Sequence, residues 1–189
     1  FSGERDRAVR FAEAARRGHW TGPMPDGTAS LESAVAIMSA ALGLDGVSGM
    51  LSDARRAVDL EPPDGRWHAG AMVLLGEAQV LAGELTDARR TLETATRLIN
   101  AEHATAATAL AYLAFVELQE GQVEQAWAHI QRAHEIVEQP PLRGHLPNVS
   151  TYGALAEILS RRGDLDGTAR AVARAEELLA QLTDTYWWQ

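Results

Sequence analysis

Along the chain, apolar side chains return every three to four residues in nine stretches: 4–17, 29–42, 47–59, 69–82, 86–99, 104–120, 123–138, 150–162 and 165–181. That period collects them on one face of an α-helix, and no segment reads convincingly as the alternating pattern of a half-buried strand. Most of the stretches fall into pairs with a short polar gap between them, and the gaps carry glycine. Glycine suits the position just past a helix C-terminus, where the backbone turns left-handed and a Cβ would be crowded. The pattern predicts antiparallel helix pairs.

A finer register runs through the pairs. In "GELTDARRTLETA" Gly83 is followed by Ala88, Leu92 and Ala95, at offsets of five, nine and twelve. The same offsets give Ala126, Ile130 and Ala133 after Gly121, and Thr168, Val172 and Ala175 after Gly163. Gly3 with Ala8, Ala12 and Ala15 fits as well; a weaker copy has Asp45 in the glycine place, then Met50, Ala54 and Ala57. The last alanines of successive copies stand 42, 38, 38 and 42 residues apart. Such self-similarity marks a repeat architecture, here the tetratricopeptide type stretched from its usual length of about 34 residues. The small residues are read as the places where one helix lies close against its neighbour. Both longer spacings contain connectors that cannot continue a helix, "RGHWTGPMPDGT" (17–28) and "QPPLRGHLPNVS" (139–150). The expected fold is all-α, a right-handed superhelix of TPR-like antiparallel helix pairs forming one repeat domain over residues 1–189. The chain opens on the second helix of a unit and closes on "TDTYWWQ". Neither end reads as a polar capping repeat, so a piece of a longer array is expected. Tyr186, Trp187 and Trp188 are then an apolar end through which copies could self-associate.

Composition narrows the possibilities. Hydrophobic residues make up 46% and charged residues 23%, ordinary for a chain that buries a core. No apolar run is long enough for a membrane span, and the first residues lack the basic start and apolar run of a signal peptide. Cysteine is absent, which excludes disulfides and thiolate metal or redox sites. That fits a cytoplasmic setting. All 17 Lys/Arg-type residues are arginine, and the net charge is −9, which argues against this segment gripping a phosphate backbone.

Three segments carry a family resemblance: "GPMPDGTASLESA" (22–34), "LEPPDGRWHAGAMVLLGEAQVLAGELTDARRTLETA" (60–95) and "ALAYLAFVELQEGQVEQAWAHIQRA" (109–133). Together they resemble the helical-repeat region of large LuxR-type transcriptional regulators, the MalT-like ATP-dependent activators. The most specific part is the pairing of the "GPMPDGTASLES" connector with "LEPP…W" one unit later. In that family the repeats follow a nucleotide-binding module and precede a helix-turn-helix module. The resemblance implies a sensor and relay segment that binds an inducer or a partner protein. A protein- or peptide-binding scaffold without a small-molecule ligand is the alternative. The phosphate-binding G-x-x-x-x-G-K-[ST] is absent, so no nucleotide or other cofactor is expected here.

Stacked helix pairs usually line their concave side with first helices. The register then places Glu32, Ser39, Glu77, Phe115, Gln119, Ser150, Glu157 and Arg161 as outward-facing candidates for binding. No metal centre is expected: His129 and His134 are five residues apart, about 140° around a helix, and the other histidines are scattered. Glu135 and Glu138 share a helix face but no nucleophile accompanies them, so no enzyme is expected. The arginine doublets at 16–17, 55–56, 89–90 and 161–162 occupy different repeat positions and form no single stripe. Trp20, Trp67 and Trp127 are read as packing connectors or helix pairs.

Overall fold

The structure, a computed structural model, describes residues 5–21, 24–43, 45–99 and 104–181, with side chains from Val9 onward. The described residues form nine α-helices and no strand: α1 (Arg5–Arg16), α2 (Leu31–Leu42), α3 (Gly46–Leu60), α4 (His68–Leu81), α5 (Leu85–Leu98), α6 (Ala104–Gln119), α7 (Val123–Val137), α8 (Val149–Arg161) and α9 (Leu165–Leu179). A 3-10 turn, Leu146–Asn148, leads into α8. Every helix end lies within two residues of the periodic stretch that predicts it. Helices α2 and α3, α6 and α7, and α8 and α9 pack as pairs. Helices α4 and α5 meet where Gly76 faces Leu92.

The glycines turn the chain as the register requires. Gly83, Gly121 and Gly163 have φ of 77°, 76° and 79°. At each, two backbone bonds close the preceding helix. Gly83 N–H donates to the Val80 carbonyl and Glu84 N–H to the Gln79 carbonyl, at 3.0 and 2.8 Å, and the bonds recur after α6 and α8. This is the Schellman arrangement, which satisfies carbonyls that have no partner in the helix. The weaker copy works differently. Asp45 does not take the glycine role; Gly43, two residues earlier, adopts φ 56° and donates to the Ser39 and Ala40 carbonyls. Gly46 follows at φ 69°, so this turn uses two left-handed glycines where the others use one, and α2 and α3 still pair.

The register residues form the cores. Ala54, Ala57, Ala88, Leu92, Ala95, Ala126, Ile130 and Ala133 are all fully buried. The last copy departs from this. Helix α9 buries Gly167, Ala171 and Leu178, while Val172 is 42% exposed. Its buried face is turned by about one residue, because α9 packs onto α8 and the 3-10 turn with no further helix beyond it among the described residues. Gly3, the Ala8 side chain and Tyr186, Trp187 and Trp188 lie outside the described residues.

Two compact units result, one running up to Ala95 and one starting at Thr96. The first holds Ala40, Met50, Ala54 and Ala78 in one cluster and Ala36, Ala57 and Ala71 in another. The second is built on Ala114, Ile130, Ala133, Tyr152 and Ile158.

Candidate functional site

In the second unit, Pro140 and Pro141 end the run of α7 and the chain winds through successive turns before α8. Leu142 N–H donates to the Gln139 carbonyl, His145 N–H to the Leu142 carbonyl, and Asn148 Nδ2 to the same Leu142 carbonyl at 2.9 Å. Asn148 is only 3% exposed, so this loop is fixed by a buried side chain. It delivers α8 into the space between α7 and α9. Helix α8 packs on both, and above it lies an open cleft of about 650 Å³.

The floor of the cleft is α8: Tyr152, Leu155 and Leu159. One wall is α7, which contributes Trp127, Gln131, His134, Glu135 and Glu138. Facing them stand Arg170 and Arg174 on α9 and Asp164 at its N-cap. Carboxylates therefore predominate on the α7 wall and guanidinium groups on the α9 wall, over an aromatic and aliphatic floor.

Hydrogen bonds order the end of the cleft near Tyr152. The Tyr152 hydroxyl donates to Glu138 Oε1 at 2.5 Å, and Arg143 lies 3.0 Å from the other carboxylate oxygen. The bond from Tyr152 holds Glu138 below the usual carboxylate range; His134 and Arg143 add to this, and burial opposes it. Tyr152 is pushed up, first by burial and then by its bond to the Glu138 carboxylate. The His134 ring meets Tyr152 edge-on at 5.9 Å, and Arg174 lies over the Tyr152 ring at 6.0 Å while bonding Glu177. At the other end Arg162 covers the Trp127 ring at 4.9 Å and pairs with Glu124. Asp164 is occupied in capping α9, accepting from Gly167 N–H at 2.8 Å. Arg170 differs from these, being exposed and making no ion pair or hydrogen bond among the described residues.

None of the eight residues picked out by the repeat register lines this cleft. Ser39 does not face outward: it is 1% exposed and accepts a hydrogen bond from Arg16 at 2.9 Å. The reason lies in its position four residues before the turn glycine. Gln79 and Glu117 hold the same place, and both are buried too. Glu117 faces the second helix of its pair, 2.8 Å from His129 Nδ1. Glu32 is exposed and receives two bonds from Arg56, and Glu77 is partly buried. In the second unit, Glu157 and Arg161 pair at 2.8 Å, and Arg161 also donates to the Leu118 carbonyl at 3.1 Å beside exposed Gln119. Phe115 packs into the core beside Tyr112 and Gly153, and the Ser150 hydroxyl donates to the Pro147 carbonyl.

The sequence register gave no sign of Tyr152, Arg170 and Arg174 as one site. The available signal was Trp127, Gln131 and His134, one surface of a second helix, whereas attention to first helices led away from it. Of the tryptophans, Trp67 packs a connector as expected, and Trp20 is 55% exposed. Among the described residues no three His, Cys, Asp or Glu side chains converge as a metal site, and no helix is long and apolar enough to cross a membrane.

The first unit brings together the two connector segments that carry the family resemblance. Trp67 Nε1 donates to the Asp26 carbonyl at 2.9 Å, and the Asp26 side chain in turn accepts from Thr28 N–H and hydroxyl. Those two bonds hold Asp26 below the usual carboxylate range. Glu61, 3% exposed, accepts from Ala29 N–H at 2.9 Å and from the Ser33 hydroxyl, clamping the start of α2.

No family model and no curated protein matches the sequence. Among solved structures, the crystal structure of MamA, a TPR-like helical-repeat protein, superposes with a TM-score of 0.52 at 18% identity, covering 95% of this chain and 89% of that one. The all-helical architecture of packed pairs and this likeness together make the chain a TPR-like helical-repeat protein in fold.

Proposed function

We propose that the chain is a non-enzymatic scaffold that docks a segment of a partner protein, with the cleft over α8 as the docking surface. The observation that carries this reading is the cleft itself: an open trough between charged walls, with half-buried Leu155 and Leu159 at its floor. Small-molecule sites are enclosed and mostly apolar, whereas an open trough with polar walls fits a polypeptide. The outward side chains of α6 and α8, including Gln119, Glu157 and Arg161, are a second surface that the same partner could contact.

The test is a pulldown with the immobilised chain, beside a Gln131→Trp variant that fills the exposed mid-cleft without touching the core. A protein retained by the wild type and lost from the variant, at unchanged melting temperature, supports docking in the cleft. Equal retention overturns it.

A second reading makes the chain the sensor and relay segment of a LuxR-type regulator, acting in the cytoplasm. It is favoured by the contacts of Asp26 with Trp67 and of Ala29 with Glu61, which join two of the segments on which that resemblance rests. A thermal-shift screen against sugars and metabolites separates the two. Stabilisation by one small molecule supports the sensor, and no shift beside a captured protein supports the scaffold.

A further inference from the structure

We infer that the cleft over α8 takes an amphipathic helix whose two flanks carry opposite charge, with Arg170 as the residue that selects it. The inference rests on the scaffold reading and names the occupant. Peptide recognition by an extended strand draws its main-chain bonds from an open sheet edge, and no strand exists among the described residues. Of the other modes, a trough walled by helices over aliphatic side chains fits a helix in a groove, its apolar stripe on Leu155 and Leu159.

Charge then fixes which helix. On the α7 wall, Glu135 pairs with Arg132 at 3.1 Å, both side chains at least half exposed. Such surface pairs are weak and exchange readily, leaving Glu135 free to meet a cation on an incoming helix. Glu138 already lies among Tyr152, His134 and Arg143 and adds field rather than a free partner. Across the cleft the Arg170 side chain has no partner to give up among the described residues, and a guanidinium meets a carboxylate in a planar two-point contact. A helix with Lys or Arg along one flank and Asp or Glu along the other satisfies both walls. Turning such a helix end for end exchanges its flanks, so the two walls also set its direction. A helix basic on both flanks meets Arg170 and Arg174, and one acidic on both meets Glu135 and Glu138.

Three labelled helical peptides test this against the full chain by fluorescence anisotropy. All share leucines at i, i+4, i+7 and i+11; one carries lysine on one flank and glutamate on the other, one lysine on both, one glutamate on both. The mixed peptide is expected to bind at least about tenfold tighter than either uniform one, with a preference that weakens as salt rises. Arg170→Glu, at an exposed position, should move the preference to the all-lysine peptide. Equal binding of all three, or a ranking indifferent to Arg170→Glu, overturns the inference. If no peptide binds while a protein is still captured in a Gln131→Trp-sensitive way, the helix is refuted and the scaffold stands. Should capture also ignore Gln131→Trp, the scaffold reading of this cleft falls with it.

Discussion

A Cβ on Gly76 would lie 2.5 Å from Cγ and Cδ2 of Leu92, so α4 and α5 approach as closely there as a hydrogen atom allows. Alanine at this position gains about 1 kcal/mol of helix propensity but overpacks the contact by about 1–3 kcal/mol. Gly76→Ala should therefore lower the urea midpoint, and adding Leu92→Ala should relieve the clash, making the pair less destabilised than the single changes summed. Strict additivity would mean the two side chains do not meet. The sequence hid this contact, because a glycine inside a helical stretch reads only as a weak helix former. The alanines on the second helices were legible, since their spacing repeats. A second residue-level outcome concerns Tyr152 and Glu138. A carboxylate held below its ordinary range stabilises the fold above its unfolded value, and that contribution is lost as pH falls through the folded one. Tyr152→Phe should cost about 1 kcal/mol near neutrality, and its difference from wild type should shrink at an acid pH low enough to protonate Glu138. Denaturation at both values measures it; a constant difference would show that the bond is indifferent to Glu138 charge.

Helices were the most legible level, and the same turn glycines that set their ends also set the pairing. What the pattern misjudged was rotation. Equal spacing after Gly121 and Gly163 puts Ile130 and Val172 in one register, yet Ile130 is fully buried and Val172 is 42% exposed. An offset counted from a turn fixes position along a helix, while the rotation of its buried face depends on which neighbours press on it. The two residues make a direct comparison. Ile130→Ala should cost about 2–5 kcal/mol, and Val172→Ala should stay within about 0.5 kcal/mol. Similar losses would restore the simple register to α9. Ser39 is a related case, read as outward by its place on a first helix yet buried, its hydroxyl accepting from Arg16 of α1.

Over the whole molecule, charge and composition excluded more than they identified, and the cleft was beyond their reach. Its shape follows from where the 139–148 loop delivers α8, which rests on Asn148, Leu142 and their hydrogen bonds rather than on any periodicity. The two cores are likewise a property of the assembled chain. Each unit buries its own cluster, so a lesion in one should be felt there first. Ala133→Leu, overpacking a fully buried site, should speed amide hydrogen exchange in α6 to α9 more than in α2 to α4. Uniform acceleration would mean that the units open together.

The two-glycine turn between α2 and α3 has a practical meaning. Gly43 and Gly46 both turn left-handed, and a Cβ on either would touch nothing within 4 Å. That open space makes the bend a natural port for foreign sequence. A short epitope or reporter peptide spliced between Gly43 and Gly46 should leave the melting temperature nearly unchanged. The same insert at Gly27, where Trp67 and Glu61 hold the neighbouring backbone, should lower it clearly.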